Sequence, residues 1–221
     1  KEIWTGYIVE QLFADNQFLQ HAANEDDYVM AGKVVHIPQA GAVPTVAKNP
    51  SSYPLVAVQR TDTDVTYVLD EYSTAPTHIK NADTIELSYD KIASVLGNHS
   101  AALNETIAND ILIKWATGLG ASNIVKTTGA ITASKVAGQT GNRKVFTQAD
   151  LKAVQTKMNL QNIPKNDRYI LLESNMLDEL TSDLSATQNR DFSQYFDAAN
   201  GIVGRLFGFN IMERSNVLIA S

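Results

Sequence analysis

The chain has 221 residues, enough for one large domain or two small ones, and 44% of them are hydrophobic, so a sizeable core can be buried. A net charge of −6 and a pI near 5.2 argue against a general nucleic-acid binder, whose domains are basic. The absence of cysteine excludes disulfides and thiolate metal sites, and no apolar run approaches the roughly 20 residues of a membrane span.

Residues 1–30 read as an N-terminal arm. Ile3, Tyr7, Ile8, Leu12 and Phe13 recur at helical spacing, and the arm ends in the acidic stretch "NEDD". The chain opens on Lys1 rather than Met and its last apolar run nearly reaches Ser221, so it is expected to be a processed or trimmed piece.

From Lys33 the period changes to two. "KVVHIPQ" and "DVTYVLDEY" alternate like strands, separated by a stretch that holds Pro44, Pro50 and Pro54. Residues 31–80 therefore read as a two-armed projection, with arms that could reach ~50 Å. Its charge is segregated. Lys33, Lys48 and Arg60 stand without an acid in 31–60, while Asp62, Asp64, Asp70 and Glu71 follow. Taken singly, each is ordinary surface charge. Taken together, Lys48, Arg60, Asp62 and Asp64 suit a contact between copies of the chain.

Ile92, Val95, Leu96, His99, Leu103, Ile107, Ile111, Leu112 and Trp115 predict a long helix from Ser88 to Thr117, within a segment 81–118, with Leu103 and Ile107 buried. Gly118 and Gly120 end it. Residues 119–145 are Gly-rich and read as a flexible loop. The remainder, 146–221, reads as an α/β domain. Thr147 caps a helix with Asp150 in the reciprocal position, and Phe146 and Leu151 occupy the staple positions. "RYILLE" is a short buried strand, and Ser174 is the expected cap of the next helix. A polar linker, 185–200, leads to "GIVGRLFGFNIMERSN", which reads as strand, bend, strand.

Residues that carry chemistry are sparse. His21, His36, His78 and His99 show no metal-binding spacing, and His99 is expected to be a satisfied core histidine. Asp70-Glu71 and Asp26-Asp27 are adjacent, so on a strand they point to opposite faces. "GQTGNRK" lacks the Gly-Lys-Ser/Thr ending of a phosphate loop, and "GLGASN" follows a helix rather than a strand. No nucleophile has an oriented base. The expectation is a non-enzyme with no cofactor and no metal.

Four stretches, in order, carry a family likeness: "VVHIPQAG…DTDVTYVLDEYSTAPTHIKNAD", "ELSYDKIASVLGNHSAALNETIANDILIKWA", "VFTQADLKAVQTKMNLQNIPKNDRYILLESNMLDEL" and "GRLFGFNIMERSN". The chain resembles the major capsid protein of tailed double-stranded DNA bacteriophages, the Hong Kong 97-like fold. The resemblance implies an α+β fold with an extended two-stranded loop, a long spine helix and an axial α/β domain, here incomplete at the C-terminus. It implies a structural subunit that self-assembles as pentamers and hexamers into an icosahedral shell. That shell would enclose double-stranded DNA without sequence-specific binding, with scaffolding and portal proteins as partners and no membrane. The location would be the virion capsid, with assembly in the host bacterial cytoplasm. Two alternatives stand beside it: the shell of an encapsulin-type bacterial compartment, and an α+β enzyme or ligand-binding domain with its site in 118–144.

Overall fold

The computed structural model describes residues 14–23, 27, 34–51, 53, 56–79, 91–136 and 138–217. The helical pattern from Ile3 to Phe13 and the expected helix start at Ser88 lie outside these residues. The chain divides into two compact units, residues 23–73 and the rest.

In the first unit β1 (Val34–Gln39) pairs antiparallel with β2 (Thr63–Val68), with Val35 opposite Tyr67 and Ile37 opposite Val65. The alternation in the sequence becomes a pleat in which Val35 is fully buried while β2 is exposed along its whole length. A two-stranded hairpin is marginal in water by itself.

In the second unit α1 (Lys91–Ala116) is a 26-residue helix, about 39 Å long. Its fully buried positions are Ala108 and Leu112, one turn apart near its C-terminal end. Leu103 and Ile107, expected to be buried, are half-buried, and Ile92 and Leu96 are exposed. The reason is that dense packing of α1, among the described residues, is confined to the end that meets the sheet.

The Gly-rich stretch after α1 is not devoid of regular structure. It holds a 3-10 turn (Ala121–Asn123) and a hairpin of β3 (Ile131–Ala133) and β4 (Asn142–Lys144). Backbone bonds between Gly129 and Val145 and between Ala130 and Val145 extend this ladder. Strands of three residues carry too little periodicity to be read from sequence.

The remaining elements follow in chain order: α2 (Gln148–Leu160), β5 (Tyr169–Glu173), α3 (Ser174–Asp183), α4 (Ala186–Ser193), β6 (Ile202–Leu206) and β7 (Phe209–Arg214). The sheet order is β5-β7-β6, with β7 parallel to β5 and antiparallel to β6. The sheet is a partition with two covered faces. Leu172, Phe209 and Ile211 enter one cluster with Phe146, Leu151, Leu177, Leu180, Leu184 and Phe192 of the helical side. Met212 faces the other way, into a cluster with Phe18, Ala108 and Leu112, flanked by Tyr169 and Leu171. Burial on both faces explains why "YILL" reads as a continuous apolar run.

Two boundaries differ from expectation. Ser174 is the first residue of α3, and Glu173 holds the N-cap position. The segment 185–200, expected as a linker, contains α4. Its capping box joins the Ser185 hydroxyl to the Gln188 N–H and the Gln188 side chain to the Ser185 N–H. Only Phe192 of α4 is buried, so the helix has almost no apolar stripe. That ring lies where a Cβ at Gly204 would stand, 2.5 Å from the nearest ring carbon.

Candidate functional site

Three of the four candidate contact residues are engaged within the chain. Arg60 donates from Nε and Nη2 to the two carboxylate oxygens of Asp62, at 2.6 and 2.9 Å. Asp62 also accepts the Gly41 N–H at 2.8 Å, across the base of the loop that joins β1 to β2. Gly41 is needed there because any Cβ would strike the Thr61 carbonyl. The Arg60 guanidinium and the Gly41 N–H hold the Asp62 carboxyl below its usual range. On the hairpin, His36 Nδ1 lies 2.9 Å from Asp64 Oδ2 and lowers the Asp64 carboxyl likewise. Lys48 makes no ion pair among the described residues. These four side chains do not converge on one site: Asp62 closes a loop, Asp64 pairs across strands, and Lys48 stands on the loop itself.

The loop has a second property besides its charge. Val43, Val46, Tyr53, Val56 and Val58 are each 76–90% exposed. Single exposed apolar residues are ordinary, but five on the one loop that joins β1 to β2 are the kind of exposure that marks an interaction site.

In the second unit the charged groups act as internal fasteners. Glu179, on α3, accepts two bonds from the Arg143 guanidinium and one from the Phe146 N–H, with Lys135 Nζ at 3.7 Å. Burial pushes its carboxyl up, but Arg143, the Phe146 N–H and Lys135 outweigh it and hold the carboxyl below the usual range. This knot ties the β3–β4 hairpin to the core. Asp150, at the N3 position of α2, accepts from the N–H and hydroxyl of both Thr128 and Thr147. Burial opposes ionisation there too, and these four donors reverse it. Arg168 is buried and donates to Asn159 Oδ1 and to the carbonyls of Ile163 and Pro164, closing the C-terminal end of α2. The helix–Pro–Arg–strand stretch thus has a physical basis: the arginine satisfies the carbonyls that Asn162-Ile163-Pro164 leaves open. Glu179 gave no sequence signal, because its partners lie 33 and 36 residues away.

The histidines are scattered. His99 is half-exposed and bonded to the Thr77 hydroxyl at 2.8 Å, so it is not a core residue as expected. His21 stacks on Tyr169 with ring centroids 4.1 Å apart, and its Nε2 lies 3.2 Å from the Asn200 carbonyl. Among the described residues no three His, Asp or Glu side chains are grouped to hold a metal ion, and no helix is long and apolar enough to cross a membrane. Among the described residues the arrangement offers contact surface and internal fastening.

Comparisons with known proteins agree with this picture. Two solved structures share the fold. One, from Mycobacterium phage Che8, has a TM-score of 0.64 and 22% identity, and the match covers 99% of this chain and 75% of that one. The other, a capsid structure of the cyanophage P-SCSP1u, has a TM-score of 0.65 and 19% identity, and covers 96% of this chain and 67% of that one. No curated protein matches. The profile of a family described as phage capsid protein matches residues 9–220. With nearly its whole length matched, and a mixed helix-and-sheet fold shared with phage capsids, this chain belongs to the phage capsid protein family and is a structural capsid protein.

Proposed function

We propose that the chain is the repeating subunit of an icosahedral shell of the Hong Kong 97 type, with pentamers and hexamers built from copies of itself. In this reading 31–80 is the extended loop, 81–118 the spine helix, 119–145 a Gly-rich connector that carries the β3–β4 hairpin, and 146–221 the axial domain, with 1–30 as an arm. The subunit performs no catalysis. The shell encloses double-stranded DNA without reading its sequence, forms in the host bacterial cytoplasm, and uses scaffolding and portal proteins as partners. The observation that carries the reading is the apolar loop in a member of a capsid family. Val43, Val46, Tyr53, Val56 and Val58 are too exposed to stabilise the chain alone, and a neighbouring copy would cover them.

Electron microscopy of the expressed protein tests this, with sedimentation beside it. Closed particles are expected, and with the proposed partners present they should protect DNA from nuclease. DNA-free particles loaded with a protein cargo would instead favour a bacterial compartment, and absence of particles under all assembly conditions would overturn the shell reading. Lys48→Glu should leave the circular dichroism spectrum unchanged and reduce assembly most at low salt, where charges are least screened. Arg60→Glu is the poorer probe of docking, because Arg60 is already held by Asp62.

A further inference from the structure

Residues 14–22 form a short segment, with a 3-10 turn at Gln17–His21, laid between α1 and the three-stranded sheet. Its position is held by several kinds of contact. Phe18 is buried against Ala108 and Leu112 of α1 and Met212 of β7, and the Trp115 ring meets it edge-on with centroids 6.1 Å apart. The Arg214 guanidinium lies over the Phe18 ring, 5.9 Å from its centroid, and donates from Nε and Nη2 to Asn16 Oδ1 at 3.3 and 3.2 Å. At the far end His21 stacks on Tyr169.

Both fully buried residues of α1 therefore owe their burial to a cluster in which this segment supplies the central aromatic ring. The opposite face of the sheet has its own cluster, built from the helical side without Phe18 or α1. Arg214 is 2% exposed, and among the described residues its acceptors are neutral: the Asn16 amide oxygen and the Asn216 carbonyl. Without the segment a buried guanidinium would lose an acceptor and a ring face together, which strongly favours the seated state.

We propose that 14–22 is a strap that fixes the angle of α1 against the sheet, and that releasing it lets α1 swing while the α2–α4 side of the sheet stays folded. The division into two separate clusters makes this possible: one fastening can open without the other. The inference concerns the single subunit and holds whether or not shells form.

The chain has no cysteine, so two spin labels can be placed without background, at Asn104→Cys on α1 and Arg205→Cys on β6, both exposed. The unassembled chain should give one narrow distance distribution. Phe18→Ala should broaden it, and should speed amide exchange over 91–116 by about a hundredfold while 169–173 and 202–214 change by less than about threefold. Asn16→Ala and Phe18→Leu are milder and should broaden it less; they carry the test if Phe18→Ala does not fold. A distribution unchanged in all folded variants, or exchange rising equally on α1 and the sheet, would overturn the proposal.

Discussion

Residues 146–214 and the loop between β1 and β2 treat the same residue types in opposite ways. In the first, Leu151, Leu180, Phe209 and Ile211 are buried to 1% exposure or less, and Asp150, Arg168 and Glu179 sit at the margins of that core with their hydrogen bonds satisfied. In the second, five large apolar side chains face solvent, and the polar groups that are bonded, Gly41, Arg60 and Asp62, lie at the base of the loop. One region gains its stability from contacts inside the chain. The other is shaped by the chain but gains little from its apolar surface until something covers it.

The sharpest way to break this comparison is a truncation in the self-sufficient region. Leu180→Ala should lower stability by about 3–5 kcal/mol, read in a denaturant melt, because Leu180 has no solvent exposure and the cluster it belongs to, drawn from several helices and strands, can collapse only in part. A loss below 1 kcal/mol would mean that the cluster is loosely packed. Glu179→Ala should cost about 2–3 kcal/mol. That is less than a fully buried pair would lose, since the Arg143 side chain retains 26% exposure and can hydrate. Gly204→Ala should cost about 1–3 kcal/mol, as the new methyl meets the buried Phe192 ring; Phe192→Leu in the same chain should recover part of it.

Acid should separate the regions more gently. The Glu179 and Asp150 carboxyls are held below their usual range in the folded chain, so their stabilisation is complete above the ordinary carboxylate pKa values and fades as pH falls through the lowered ones. The melting temperature should hold from pH 7 to about 5 and drop below about pH 4. Glu179→Gln should start lower and fall less steeply. At the small end, Val56→Ser and Val58→Ser should change the stability of the unassembled chain by no more than about 0.5 kcal/mol. A larger loss would place those side chains in the chain's own core.

Periodicity accounts for what the sequence made legible. The alternation of "VVHIPQ" and the buried run "YILL" located strands, and Thr147 with Asp150 located a helix start, because each signal is local. The Gly201–Asn216 stretch was legible as strand, bend, strand, with the bend at Phe207-Gly208; the register shift between Ile202 and Gly204 was not. The helix α4 was hidden because one buried Phe192 and a polar capping box leave no stripe to count. Leu103 and Ile107 were misplaced because an apolar face declares that it can be buried, not that this chain supplies the cover. The pairing of the candidate charges within the chain was not legible, since pairs such as Arg60 with Asp62 depend on how a loop closes.

The turn between β6 and β7 bears on the order in which the molecule folds. Phe207 and Gly208 both have positive φ, 49° and 79°, a pairing usually met with Asn-Gly, and a bulky residue is disfavoured there. The ring packs against the larger cluster and the Phe207 carbonyl accepts from Gln155 Nε2 on α2 at 2.6 Å. A hairpin of this kind has no local preference to start it. It is expected to close only once α2 is in place to receive the ring and the carbonyl, which would make β6–β7 pairing a late event rather than a nucleus. Phe207→Asn should reverse that timing: stopped-flow refolding should be as fast or faster, while unfolding accelerates because the ring no longer anchors the closed turn.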